Sequence, residues 1–86
     1  MPESPETRRR RLRMRSWRRG MREVDLILGP FADGPLAGLE PAALDAFEAL
    51  LDENDQELYR WLGGVAPAPL RHAAIIDRIR DHHRLR

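Results

Sequence analysis

The chain has 86 residues and no cysteine, which leaves room for one small domain and excludes disulfide staples, zinc thiolates and a cysteine nucleophile. Its fifteen basic residues are all arginine, set against fourteen carboxylates for a net charge of +1. That near-neutral sum hides blocks: nine Arg against Glu3 and Glu6 in residues 1–22 (+7), ten acids and no base in 23–57 (−10), and six Arg against Asp77 and Asp81 in 58–86 (+4).

A chain divided in this way is a dipole, basic at both ends and acidic in the middle. No apolar run reaches the roughly 18 residues needed to span a bilayer, and the N-terminus lacks the apolar stretch of a secretory signal. The expected compartment is the cytoplasm, with no membrane insertion.

In chain order, residues 1–7 are expected to form a flexible N-terminus ahead of a single helical domain over 8–86. Ser4 and Pro5 have the chemistry of a helix cap and a first helical residue, and Glu6 suits the positive helix end. A first helix is predicted to run to about Arg18. Its apolar content is thin (Leu12, Met14, Trp17), so it needs packing on the body or on a partner. Gly20 is the expected break, able to take the left-handed conformation that ends helices.

The second helix is predicted from near Met21, with Met21, Val24, Leu28 and Phe31 at the spacing of a buried stripe. Gly29-Pro30 should kink or loosen its end, Asp33-Gly34-Pro35 signals a turn, and Leu36–Leu39 reads as a connection. A third helix opens at Pro41, burying Leu44, Phe47, Leu50 and Leu51 and wetting Asp45, Glu48 and Asp52. Asn54-Asp55-Gln56-Glu57 has the form of a capping box for a short fourth helix that buries Leu58, Trp61 and Leu62 and stops at Gly63-Gly64. After a proline-containing connector, a last helix runs from about Pro69 to His83, with Ile75, Ile76 and Ile79 inward. The predicted fold class is all-α, a compact single-domain bundle of five short helices.

Catalytic constellations are lacking. His72, His82 and His83 lie on one helix, and His72 and His83 are about 16 Å apart by helix rise, too far to share a metal or relay a proton. They read as exposed or packing residues. Asp52, Glu53, Asp55 and Glu57 lack the glycine and distal Glu of a calcium loop and read as a solvated face with helix capping. There is no phosphate-cradling glycine loop and no nucleophile motif, so no catalytic or metal residue is assigned and an enzyme is not expected.

The run Arg8–Arg11 with Arg13, Arg15, Arg18 and Arg19 has three readings on composition alone: a nucleic-acid arm with Trp17 stacking on a base, a protein-binding surface, or a solvated helix face. The acidic middle of the chain opposes the first. Arg19-Gly20-Met21-Arg22-Glu23 differs in kind, because a glycine at a helix junction admits close approach of another backbone, and Arg19 or Arg22 could grip a carboxylate beside it. Glu23 could cap its helix or pair with a partner's cation, and an internal Arg–Glu pair at a helical corner is the plainer alternative.

Arg19-Gly20-x-x-Glu23, preceded by Arg15-Ser16-Trp17-Arg18 and followed by Asp25, Leu28 and Pro30-Phe31, resembles the signature of the SdhE family of FAD assembly factors. The likeness continues through Leu50-Leu51, Asn54 to Leu58, Trp61-Leu62 and Pro67, although Asn54 stands where many members carry Asp. The resemblance implies a five-helix fold and a helper that binds the flavoprotein subunit of succinate dehydrogenase, and in some members fumarate reductase. The helper promotes covalent attachment of FAD to a client histidine. It further implies that Arg19, Gly20 and Glu23 face the client, with Arg15, Trp17, Arg18, Arg22 and Asp25 extending the contact. No FAD would be held stably by the chain itself, and a monomer is expected. The alternative left standing is an Arg-rich nucleic-acid-binding arm.

Overall fold

A computed structural model describes residues 2–83. Among them five α-helices form and no strand does: α1 (Pro5–Ser16), α2 (Arg22–Asp33), α3 (Pro41–Leu51), α4 (Asp55–Leu62) and α5 (Leu70–His83). Local chemistry sets their starts. The Ser4 side chain accepts from the Thr7 amide at 3.1 Å ahead of Pro5, and the Asn54 side chain accepts from the Glu57 amide at 2.9 Å. Pro41 opens α3, with Glu40 at the cap position but making no side-chain cap bond. The helical body thus begins three residues before residue 8, where the sequence boundary was drawn. Gly64, at φ +76°, supplies the left-handed residue just beyond α4.

Two details depart from the sequence reading. α1 stops at Ser16 rather than Arg18, because Trp17 turns extended and its amide bonds the Met14 carbonyl at 3.3 Å. The Leu36–Leu39 connection contains part of a 3₁₀ turn over Pro35–Gly38, which drives Leu36 into the core. α2 continues through Pro30 to Asp33. On the same helix the Ile27 carbonyl accepts from His83 Nε2 at 2.7 Å, which ties α5 to α2.

α2 is the central element, touching α1, α4, α5 and the 3₁₀ turn, while α3 packs on α5 and α1. Val24, Leu28 and Phe31 of α2 meet Phe47 and Leu50 of α3, Leu58 and Leu62 of α4, and Ile75 and Ile79 of α5 in one buried cluster. The Phe31 and Phe47 rings sit 5.6 Å apart at its centre. Ile75, Ile76 and Ile79 all point inward, as their spacing required.

α1 is held differently. Its one buried apolar side chain is Leu12, joined by Ser16, whose hydroxyl bonds the Leu12 carbonyl at 2.8 Å. Twelve residues with so little apolar surface would not stay helical alone. The remainder comes from charge. Arg8 bonds Asp45 and Glu48, Arg11 bonds Glu48 and Glu3, and Arg15 bonds Asp52, all at 2.7–2.9 Å. Burying Leu12 is worth about 2–3 kcal/mol, and the surface pairs, each weak by itself, add to it.

Leu12→Ala should therefore cost about 2–5 kcal/mol in urea unfolding, while Met14→Ala, at a position 72% exposed, should stay within about 0.5 kcal/mol. Acid should undo the charged seam. The Arg11 hydrogen bond holds Glu48 below its ordinary pKa of 4.5, so its contribution is complete above 4.5 and is lost as pH falls through the lowered folded value. The stability difference between the wild type and Glu48→Gln should accordingly be largest at about pH 6 and shrink on acidification below 4.5, measured by urea midpoints at each pH.

Candidate functional site

The α1–α2 corner is built from consecutive backbone choices. Trp17 is extended, Arg18 takes φ +58° and Gly20 takes φ +113°. The sequence reading placed the left-handed break at Gly20. The structure divides it between Arg18 and Gly20, and Arg18 is the non-glycine residue that accepts positive φ. Gly20 is required by its backbone rather than by crowding, since a β-carbon there would meet only Asp55 Oδ2, at an ordinary 3.7 Å.

Underneath, Arg19 turns inward. Its Nε donates to Asp55 Oδ1 at 2.7 Å, Nη2 to the carbonyls of Leu51 and Glu53 at 3.0 Å each, and Nη1 to the Arg15 carbonyl at 3.3 Å. Its side chain is only 12% exposed. The guanidinium expected to grip a partner is thus committed to the chain's own α3–α4 turn. The reason is geometric: the helix ends at Ser16, and the left-handed step at Arg18 swings residue 19 towards carbonyls that α3 leaves unpaired at its C-terminal end. Asp25 completes the lock, its Oδ1 accepting from the Arg19 amide at 2.8 Å.

Trp17 packs flat on Gly29, where a β-carbon would lie 2.3 Å from the indole ring, and its Nε1 donates to Asp33 Oδ1 at 3.3 Å. The glycine read from sequence as a helix weakener is a seat for the indole. Trp17 is half-buried, with Met14 and Arg18 beside it around a shallow groove.

The eight residues singled out from sequence fall into two groups. Arg15, Trp17, Arg19 and Asp25 are engaged within the chain and shape the corner. Arg18, Gly20, Arg22 and Glu23 are exposed, and the side chains of Arg18, Arg22 and Glu23 pair with no other described residue. The internal Arg–Glu pair considered for this corner does not form. The accessible surface is therefore a bare glycine edged by two cations and one carboxylate.

Sequence reasoning missed two structural supports. Asp45, Glu48, Asp52 and Asp55 follow the same three-to-four spacing as Arg8, Arg11, Arg15 and Arg19, and these two rows meet. Comparing the spacings would have revealed the match. The second is His72, which is 3% exposed, lies 5.6 Å from Trp61 centroid to centroid, and donates from Nε2 to Glu53 at 2.6 Å. That bond, with one from Arg71, holds the Glu53 carboxyl below its usual pKa. Glu53 thus ties α5 to the turn whose carbonyls hold Arg19.

No helix among the described residues is long and apolar enough to cross a membrane. A family model described as flavinator of succinate dehydrogenase (Sdh5) matches residues 10–83. The chain is 37% identical over 67 residues to the FAD assembly factor SdhE of Aliivibrio fischeri, covering 77% of this chain and 78% of the relative. It is 41% identical over 64 residues to the protein of that name from Haemophilus ducreyi, covering 73% and 78%. It is also 41% identical over 71 residues to the mitochondrial succinate dehydrogenase assembly factor 2 of Mycosarcoma maydis, covering 83% of this chain but only 30% of that longer relative. No solved structure gives a significant match. Nothing in these names points to nucleic acid, and four arginines on which that reading leaned (Arg8, Arg11, Arg15 and Arg19) are paired with carboxylates. With the family model spanning most of its length and a five-helix fold to match, the chain belongs to the family of succinate dehydrogenase flavinators.

Proposed function

We propose that this chain is an assembly factor that binds the flavoprotein subunit of succinate dehydrogenase and promotes its covalent flavinylation. Family membership and the names of the relatives support this reading. The observation that carries it is the corner itself, where Arg18, Gly20, Arg22 and Glu23 stand exposed on a base fixed by Arg19 and Asp25. The backbone of the corner is fixed before docking, so the ordering cost falls on its exposed side chains alone.

The chain contributes no reactive group in this reading. The reactive histidine and the FAD belong to the client, and the factor holds the client in the arrangement in which they meet, a shift of population. The groove formed by Met14, Trp17 and Arg18 is shallow and suits contact with a protein surface better than enclosure of a flavin. The factor works as a monomer in the cytoplasm, with fumarate reductase as a further client where one is present.

The test is co-expression of the client subunit with variants of the chain, scored by covalent flavin fluorescence of the denatured client. Glu23→Arg should lower flavin loading about tenfold while costing no more than about 2 kcal/mol of stability, because that side chain has no internal partner and loses only its place at the positive start of α2. Arg19→Ala should lower loading and also cost about 3 kcal/mol of stability, since it strands Asp55 and two carbonyls. Full flavin loading with Glu23→Arg would overturn the reading.

A further inference from the structure

α1 carries arginine on two faces. On the inner face, Arg8, Arg11 and Arg15, continued beyond the helix by Arg19, meet the acidic row of Asp45, Glu48, Asp52 and Asp55. On the outer face stand Arg10 and Arg13, both exposed, with the half-buried Arg9 at its edge, and no guanidinium of the three bonds or pairs with any other described residue. Arg13 follows Arg9 by four residues and Arg10 by three, which sets it about 5–6 Å from each. Met14, 72% exposed, adds an apolar contact next to them.

This face is continuous with the corner. Arg10 and Met14 line one shallow groove, Met14 with Trp17 and Arg18 lines the next, and Arg9, Arg10 and Arg13 border a third of about 250 Å³ with Ala32 and Leu36 at its floor. The inner face shows what such a row accepts: carboxylates presented at matching intervals along a helix. Three guanidiniums left unbonded, with only the carboxylates of Glu6 and Asp33 near them, can take the same ligand supplied from outside.

We propose that the outer face of α1 docks an acidic amphipathic helix of the client subunit, lying along Arg9, Arg10 and Arg13 with an apolar side chain against Met14. The proposal rests on the reading of the chain as an assembly factor and extends its contact beyond the corner. A polyanion is the poorer occupant, because Glu6 and Asp33 interrupt the positive surface: carboxylates spaced along a helix can be set to miss them, whereas a continuous run of phosphates cannot. A flat anionic membrane meets the same obstacle. A second copy of the chain does not fit either, since its own acidic row is already filled by its own arginines.

The experiment immobilises the flavin-free client subunit and measures association of the full chain at about 50 and 300 mM salt, with wild type, R9S/R10S/R13S, R9K/R10K/R13K and Glu23→Arg. The serine variant keeps Leu12 and the inner row, and circular dichroism should be unchanged. It should bind at least about tenfold more weakly, chiefly through slower association, with a flattened salt dependence. The lysine variant should recover part of the association rate. An alanine-rich helical peptide carrying glutamate at three-to-four spacing should compete with the client for wild type, and its scrambled isomer should not. Wild-type binding that the serine substitutions leave unaltered would overturn this inference alone. Failure of wild type to bind the subunit would instead bring down the assembly-factor reading, and this inference with it. Equal competition by both peptides would overturn the helical ligand. So would outer-row-dependent capture of phosphatidylglycerol vesicles or single-stranded RNA with client binding unchanged.

Discussion

The fork of Arg19 beneath the α1–α2 corner is the interaction on which the remaining geometry turns. It bonds the Arg15 carbonyl in α1, the Leu51 carbonyl at the end of α3, the Glu53 carbonyl in the turn after it, and Asp55 at the start of α4. One side chain therefore joins three helices at the point where the chain reverses. Lysine could not replace it, because an ammonium has no planar fork with which to reach a carboxylate and two carbonyls together. The cost of putting Arg18 into a left-handed conformation, about 1–2 kcal/mol for an L-residue, is offset by what its neighbour then reaches.

Much of this architecture was legible from the residues. Apolar spacing placed α2 to α5 and their inward faces, and Ser4-Pro5 and Asn54 marked helix starts because their side-chain oxygens can serve orphan amides. α1 was harder. Arginine occupies nearly all of its faces, so periodicity could not say which ones turned inward, and the answer lay in a second row of charges some 37 residues away in sequence. The direction of Arg19 was hidden for a related reason. A glycine in the motif suggested where the chain would bend, but the bend was taken up partly by Arg18, and that choice decides whether residue 19 faces water or the core. The packing role of Gly29 went unseen because it depends on an indole twelve positions earlier, and no local pattern reports such a contact.

The candidate site also separates two ideas that a sequence motif merges. Arg19 and Asp25 sit inside the motif yet make the surface rather than belong to it, whereas Glu23 and Arg22 belong to it and support nothing internal. Loss of function at the first pair would speak of shape, and at the second of contact. His72, distant in sequence, falls with the first pair through Glu53.

The seam between α1 and α3 is built wholly from guanidinium on its cationic side. Hydrogen bonds that Arg8 donates to Asp45 and Glu48, and Arg11 to Glu3 and Glu48, raise affinities for the proton that are already beyond any alkaline solution a protein survives. Base cannot discharge the seam. The first helix has one chemical exit, through its carboxylates, and alkaline stress on this molecule must find its weak point elsewhere.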